Sequence, residues 1–452
     1  IAIEPFPRSP TIPASRSFNE WTFSPFYRQI CLVKKRAVVT ISALNYAARA
    51  AVLARTLKKF HPDIPFHFFI VDDPDGSRSK GLVKTKAKVS FMDDLIRHFE
   101  KREERIPFMS MLFPYDVMEA STAVKPFVLL QLLEEYGYDE ILFLDPDTML
   151  FDSLDSVWNS FDDADVLLTP HLVTLGDFEK SRLNERAASL HGVFNLGFLG
   201  IANTPQVKEF LHWWGRRLIR HCVKNVAQGY FTDQRWIDIA FGALESVKVL
   251  RDPGLNVAHW NISERKVWRD KKNIYRVGKE TLKFFHFSSY KPSKPTYLSA
   301  HRPDLKLKDL GVVADLTHEY HELLAKCGNT SFDKLDYGFR TFTNGIAIPD
   351  VLRTWSKQVE HLDRFDNPFD ARQHCSFFDW LLDSVGTDLC PLAKIIRDMR
   401  PDVQRKIPGH DAESNGLYMQ WLLERGVTDL GLDPRFSKLL GKKMAAYEGL
   451  VM

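Results

Sequence analysis

The chain has 452 residues, 44% of them hydrophobic and 26% charged, which fits two or three globular domains and excludes a globally disordered polymer. Lysine and arginine number 61 against 58 acidic residues, a net charge of +3. That balance gives no argument for nucleic acid, where a basic face is expected, and leaves room for weak attraction to an anionic membrane surface.

Residues 1 to about 35 are rich in proline, serine and aromatics and read as an extended arm. They hold Pro5, Pro7, Pro10 and Pro13 and no apolar h-region, so no secretory signal peptide is expected within them. No apolar run reaches the ~18 residues that span a bilayer. Cys31, Cys222, Cys327, Cys375 and Cys390 form no C-x-x-C pair, which argues for reduced thiols and against a zinc site. A cytoplasmic location is expected, with the inner face of a membrane as an option.

Ala37 to Ser42 is a short β-branched run, predicted as a buried strand. Asn45 opens a helix with Ala47, Ala50, Ala51, Ala54 and Leu57 on one face, ending near His61-Pro62. Phe66 to Val71 is a second strand, ending at Asp72 and Asp73. Residues 74 to 114 are mixed and carry no clear period. Ala123 to Tyr136 reads as a helix, and Glu140 to Leu144 as a third strand. Asp165 to Thr169 and Phe194 to Ile201 are further strands, and Thr204 is placed to cap a helix running to about His221. Val247 to Leu250 and Leu282 to Phe287 complete the strands. After about residue 300 the period becomes helical, with candidates at Leu305 to Lys326, Pro349 to Val359, Ser376 to Asp383, Leu392 to Met399 and Gly416 to Arg425. The expected organisation is an arm over 1–35, a catalytic α/β domain over 36–300 and a helical region over 301–452.

Chemistry concentrates at strand ends, where ligands bind in α/β sheets. Asp145-Pro146-Asp147 follows the strand Glu140 to Leu144. Two carboxylates two residues apart can reach one divalent cation, a hard ion that would offset diphosphate charge. Taken alone the tripeptide reads more readily as a surface turn than as a metal site, and the apolar strand directly before it favours the metal. His286 closes the run Phe284 to Phe287, where an imidazole can complete an oxygen-rich manganese site. Lys291 follows as a point charge for phosphate. Phe194-Asn195-Leu196-Gly197 puts two residues unfavourable to strands inside one: glycine for close backbone approach, asparagine as donor and acceptor, or else a bulge. In Thr232-Asp233-Gln234 the threonine is a candidate helix cap, the carboxylate would accept sugar hydroxyls and Gln234 would face the anomeric carbon.

Taken in order, L-D-P-D, F-N-L-G, D-Q and H-F-S-S-Y-K-P resemble the GT-A glycosyltransferases. The match is to the family 8 retaining enzymes, which include glycogenin and bacterial lipopolysaccharide galactosyltransferases, and to a bacterial surface-polysaccharide branch with a helical extension. The resemblance covers about residues 36 to 295. It implies a GT-A (Rossmann-like) mixed sheet flanked by helices, followed by a mainly helical C-terminal region that binds acceptor or partner. It implies transfer of a hexose from a nucleotide-sugar, a UDP-sugar by preference, to a glycan, lipid-linked or protein acceptor, with Mn2+ or Mg2+ and with retention. Asp145, Asp147 and His286 would hold the metal. Thr40, Ile41, Asn45, Tyr46, Lys125, Asp145, Gly197 and Lys291 would bind the donor, and Asn195, Asp233 and Gln234 would surround its sugar. Ser289 stands where the motif has glycine, Lys291 falls one residue early, and Arg235 replaces the second aspartate of D-Q-D. Two other classes compete: a sugar-phosphate nucleotidyltransferase, for which Ser42-Ala43-Leu44-Asn45 lacks the usual glycine-rich loop, and a non-catalytic nucleotide-sugar-binding protein on the same fold.

Overall fold

The structure, a computed structural model, describes residues 34–81, 83, 87–176, 178–359, 362–372, 374–383 and 388–451. The expected arm over 1–35 lies outside them apart from Lys34 and Lys35. The central sheet begins with β1 (Arg36–Ser42), β2 (Phe66–Ile70) and β3 (Lys88–Phe91). It continues with β4 (Glu140–Leu144), while β5 (Thr148–Leu150) turns away after it. Then come β6 (Val166–Pro170), β7 (Phe194–Ala202) and the short strand Val247–Val249. The seven strands lie in the order Val247–Val249, β6, β7, β4, β1, β2, β3. β7 runs antiparallel to both its neighbours, and every other pair is parallel. The expected mixed α/β sheet is therefore what the chain forms.

Alternation explains why this sheet is buried on both faces. Val38, Leu142, Leu144, Leu167 and Phe198 belong to one apolar cluster, with the helix α1 (Ala47–Phe60). Their neighbours Val39, Ile41, Ile141, Phe143 and Leu199 belong to another. Strands covered on both sides read as unbroken apolar runs, as β1 and β4 do.

Four expectations are corrected in detail. The helix expected over 123–136 is two, Val117–Ala123 and Lys125–Glu134, broken at Val124, with Pro126 in the first turn of the second. The unassigned stretch 74–114 supplies the edge strand β3 and the helix Met92–Glu100. A helix Phe178–His191, absent from the sequence reading, precedes β7. The helix expected from Leu305 starts at Val312, because Arg302–Lys306 pairs with Tyr297–Ser299 as a hairpin.

The C-terminal region is mainly helical, as expected, with Asp350–Ser356, Phe377–Leu382, Pro391–Asp398, Ala412–Trp421 and Pro434–Val451 among its helices. Its apolar residues Phe342, Phe369, Phe377, Leu392 and Phe436 share one cluster with β1, β4 and β7. Phe113 lies 5.1 Å from Phe369 and 5.2 Å from Phe377 between ring centroids. Polar ties repeat the link. Lys357 pairs with the buried Glu119 at 2.7 Å, Arg353 donates to the Tyr115 carbonyl at 3.2 Å, and Asp72 at the end of β2 accepts from the Gly338 amide at 2.8 Å.

Candidate active site

The chain leaves β4 at Leu144 and turns at once. The Asp145 amide is held by the Gly197 carbonyl at 2.9 Å, and the Asp145 carbonyl accepts from the Thr148 amide at 3.1 Å. This tight turn puts both carboxylates at the C-terminal end of the strand. β5 then pairs antiparallel with Phe284–His286, placing His286 opposite Thr148. The His286 Nε2 lies 3.1 Å from an Asp147 oxygen and 3.6 Å from an Asp145 oxygen. Its Nδ1 faces Asn256 Oδ1 at 3.3 Å, which fixes the ring as ligating histidines are usually fixed.

Ligand atoms of Asp145, Asp147 and His286 lie within 4.8 Å of one another. Two carboxylates and an imidazole suit manganese or magnesium by donor chemistry, and the three residues fit such an ion. Their charges are tuned by each other. Burial pushes the Asp145 carboxyl up to about 6, against the pull of Lys125 and His286. Burial also works to raise the Asp147 carboxyl, but the adjacent His286 outweighs it and the net shift is downward. His286 is raised: burial opposes its charge, and the two aspartates overcome that.

Gly197 is needed here because a Cβ on it would sit 2.4 Å from the His286 Cε1 and 2.8 Å from the Asn195 Oδ1. The register of β6 against β7 shifts between Leu168 and Pro170, an irregularity at Asn195 and Gly197 of the kind the sequence offered as the alternative to a ligand-facing role. Asn195 Oδ1 accepts from the Gly197 amide at 3.1 Å and from Asn256 Nδ2 at 3.0 Å. Gln234 accepts from the Leu196 amide at 3.0 Å and donates to the His191 carbonyl at 2.9 Å. Both amide side chains are thus committed to holding the floor of the site. Asp233 is buried and bonded to Lys125 Nζ and to Thr232 Oγ1, the latter at 3.1 Å. Lys125 also donates to the Leu196 carbonyl at 3.1 Å. Thr232 does not cap a helix as the sequence suggested. It has a positive φ of 46°, and the helix Arg235–Phe241 follows Gln234 with no side-chain cap.

These groups line one cavity of about 670 Å³. Of the sequence-predicted residues, Ile41, Asn45, Tyr46, Lys125, Asp145, Asp147, Asn195, Gly197, Asp233, Gln234 and His286 line it. Two do not. Thr40 is buried within β1 beside the cavity, its hydroxyl without a partner among the described residues. Lys291 is exposed and lies off the cavity lining. The sequence reading missed His171, Asn184, His191, His259, Trp260, His301 and Arg302, all on the lining. It also missed Arg49, whose guanidinium stacks 4.0 Å from the centre of the Tyr46 ring. For Asn256, held at φ +54°, the preceding Pro253-Gly254 was a usable turn signal. The missed histidines lie outside the strands, on helix ends and loops, where no period marks them.

No family model matches the chain. Relatives at the sequence level include two uncharacterised proteins of Bacillus subtilis (strain 168). YfnF is 25% identical over 257 residues, covering 56% of this chain and 82% of that one. YfnD is 26% identical over 173 residues, covering 37% of this chain and about half, 52%, of that one. Similar chains among solved structures include several glycosyltransferases. They include the galactosyltransferase LgtC in complex with donor and acceptor sugar analogues, at 20% identity and TM-score 0.37, covering 64% of this chain and 95% of that one. Mouse xyloside xylosyltransferase 1 matches at 14% identity and TM-score 0.33, covering 56% and 97%.

Proposed function

We propose that this protein is a metal-dependent glycosyltransferase that moves a hexose from a UDP-sugar to a glycan, lipid-linked or protein acceptor, with retention of configuration, in polysaccharide biosynthesis. The observation that carries the reading is the convergence, in one cavity at the strand ends, of Asp145, Asp147 and His286 with Asn195, Asp233 and Gln234.

Each residue has a part. Asp145, Asp147 and His286 would hold manganese or magnesium, which when bound neutralises charge on the leaving diphosphate. Asn45, with a buried Oδ1 that has no partner among the described residues, and the Arg49-backed ring of Tyr46 receive the nucleoside beside Ile41. Asp233 is the polar group with capacity to spare: Lys125 and Thr232 use two of its roughly four lone-pair sites, leaving others for sugar hydroxyls. Gln234 and Asn195 hold the β7 backbone that forms the floor beneath that sugar. Retention rests on the family resemblance. The helical region 301–452 contributes acceptor or partner binding, and the protein works in the cytoplasm, peripherally at the inner face of the membrane.

The test is to incubate the protein with labelled UDP-sugars and manganese and measure nucleotide release. Release that a chelator abolishes and added manganese restores is expected. Silence with every donor would refute the reading, and pyrophosphate formation from a nucleoside triphosphate and a sugar phosphate would point to a nucleotidyltransferase.

A further inference from the structure

The cavity holds a second group of side chains that the donor site does not use. His259 and Trp260 come from the segment after Asn256, and His301 and Arg302 from the tip of the hairpin Tyr297–Lys306. His191 and Asn184 come from the helix Phe178–His191. The Trp260 ring meets His171, His259 and His286 edge to face, at 5.5, 5.0 and 5.2 Å between centroids. That indole therefore joins this group to the metal-binding residues. The His259 and His301 rings lie 6.0 Å apart. The hairpin tip is pinned from two sides. Ser289, itself at a positive φ of 57°, bonds His301 Nε2 at 2.7 Å, and Arg302 donates to Asn184 Oδ1 at 3.1 Å.

Two properties of this group define what it takes. The first is charge. Among the described residues lining the cavity, the lysine and arginine side chains are Lys125 and Arg302. Each is paired with a carboxylate, Lys125 with the buried Asp233 and Arg302 with Asp304 at 2.7 Å. Burial lowers the imidazoles of His191, His259 and His301, which disfavours their charged forms. The second is unspent hydrogen-bonding capacity. His259 Nδ1 and Trp260 Nε1 are buried with no partner among the described residues, a state that structures rarely leave unanswered. A neutral imidazole offers one donor and one acceptor, the same pair that a hydroxyl group offers. Several such groups around one space match the several hydroxyls of one sugar ring, and both the lysine and the arginine side chain on the described lining already face a carboxylate.

We propose that His191, His259, Trp260 and His301 form an acceptor subsite for an uncharged saccharide ring, beside the donor site. This rests on the glycosyltransferase reading, and it assigns ring recognition to the cavity wall.

Saturation-transfer NMR on the whole chain, loaded with UDP and magnesium, tests it directly. The probes are the methyl glycosides of glucose, galactose and mannose, with glucuronate as the anionic control. At least one uncharged glycoside is expected to bind, and His259→Phe should weaken it at least tenfold. His301→Ala, at an exposed residue, should weaken it in the same direction and stands in if His259→Phe fails to fold. The proposal is overturned if none of the glycosides binds, if both variants bind as the parent does, or if glucuronate binds as well as the uncharged sugars. Calorimetry of UDP on the same samples separates the two ideas. Absent UDP binding refutes the donor reading, whatever the glycosides do.

Discussion

At the Asp145–Asp147–His286 cluster three side chains and one missing side chain make a site. Asp147→Ala is expected to abolish manganese-dependent UDP binding in calorimetry while the fold survives. His286→Ala should weaken it less, because a neutral ligand gives a hard cation less than a carboxylate does. Gly197→Ala tests the missing side chain. Its Cβ would collide with His286 and Asn195, and the backbone at Gly197 is tied to the site by its carbonyl, which accepts from the Asp145 amide. A cost of about 1–3 kcal/mol in stability and loss of metal affinity are expected; an unchanged melting temperature with intact manganese binding would contradict the geometry. Histidines also set the acid limit. His67, between Tyr136 and Tyr138, and His171 are each pushed down to about 4, chiefly by burial. The unfolded chain takes up their protons first, near 6.5, so stability is full above that value and drains as pH falls toward 4. A fall from 6.5 to about 4 corresponds to roughly 3 kcal/mol per histidine. An acid titration followed by circular dichroism should show this slope, and His67→Gln should flatten part of it.

Elements differ in how plainly they are written in the sequence. β1, β2, β4, β6 and β7 are legible because strands buried on both faces need unbroken apolar runs. β3 is not, because Lys88–Phe91 is a half-exposed edge whose KVSF pattern blends into its surroundings. The Asp145–Asp147–His286 cluster is legible for a related reason: Asp145 directly follows the apolar run of β4, with Asp147 two residues on, and His286 ends the strand Phe284–His286. The imidazoles of the second group are not, because His259 and His301 reach the cavity from turns whose path only the tertiary packing fixes. Lys291 shows the converse, a motif position legible in sequence whose side chain lies off the cavity. Element boundaries also yield a prediction. Thr204 accepts from the Val207 amide at the start of Pro205–His221, as expected from sequence. Thr204→Ala should cost ~1 kcal/mol, read as a lower denaturant midpoint at unchanged slope.

On the scale of the whole molecule, residues 35–452 gather into one unit, and its largest apolar cluster crosses residue 300 freely. Phe113→Ala, which removes a ring touching Phe342, Phe369 and Phe377, should cost about 3–5 kcal/mol and lower both parts together in a single transition. A chain ending near residue 300 would bare that cluster and leave Glu119 and Asp72 without Lys357 and Gly338. Loss of near-ultraviolet dichroism and rapid proteolysis are expected; cooperative unfolding of the truncated chain would contradict this.

The shared core has a consequence for how such a protein can diversify. Enzymes with separable modules acquire new partners by swapping one module for another. Here a swap would tear the interior in half, so the chain must be inherited whole. Variation in what it recognises is then confined to places where side chains can change without disturbing the interior. The hairpin tip carrying His301 and Arg302, held by Ser289 and Asn184, is such a place, and substitutions at these two tip positions are expected to cost the rest of the molecule little.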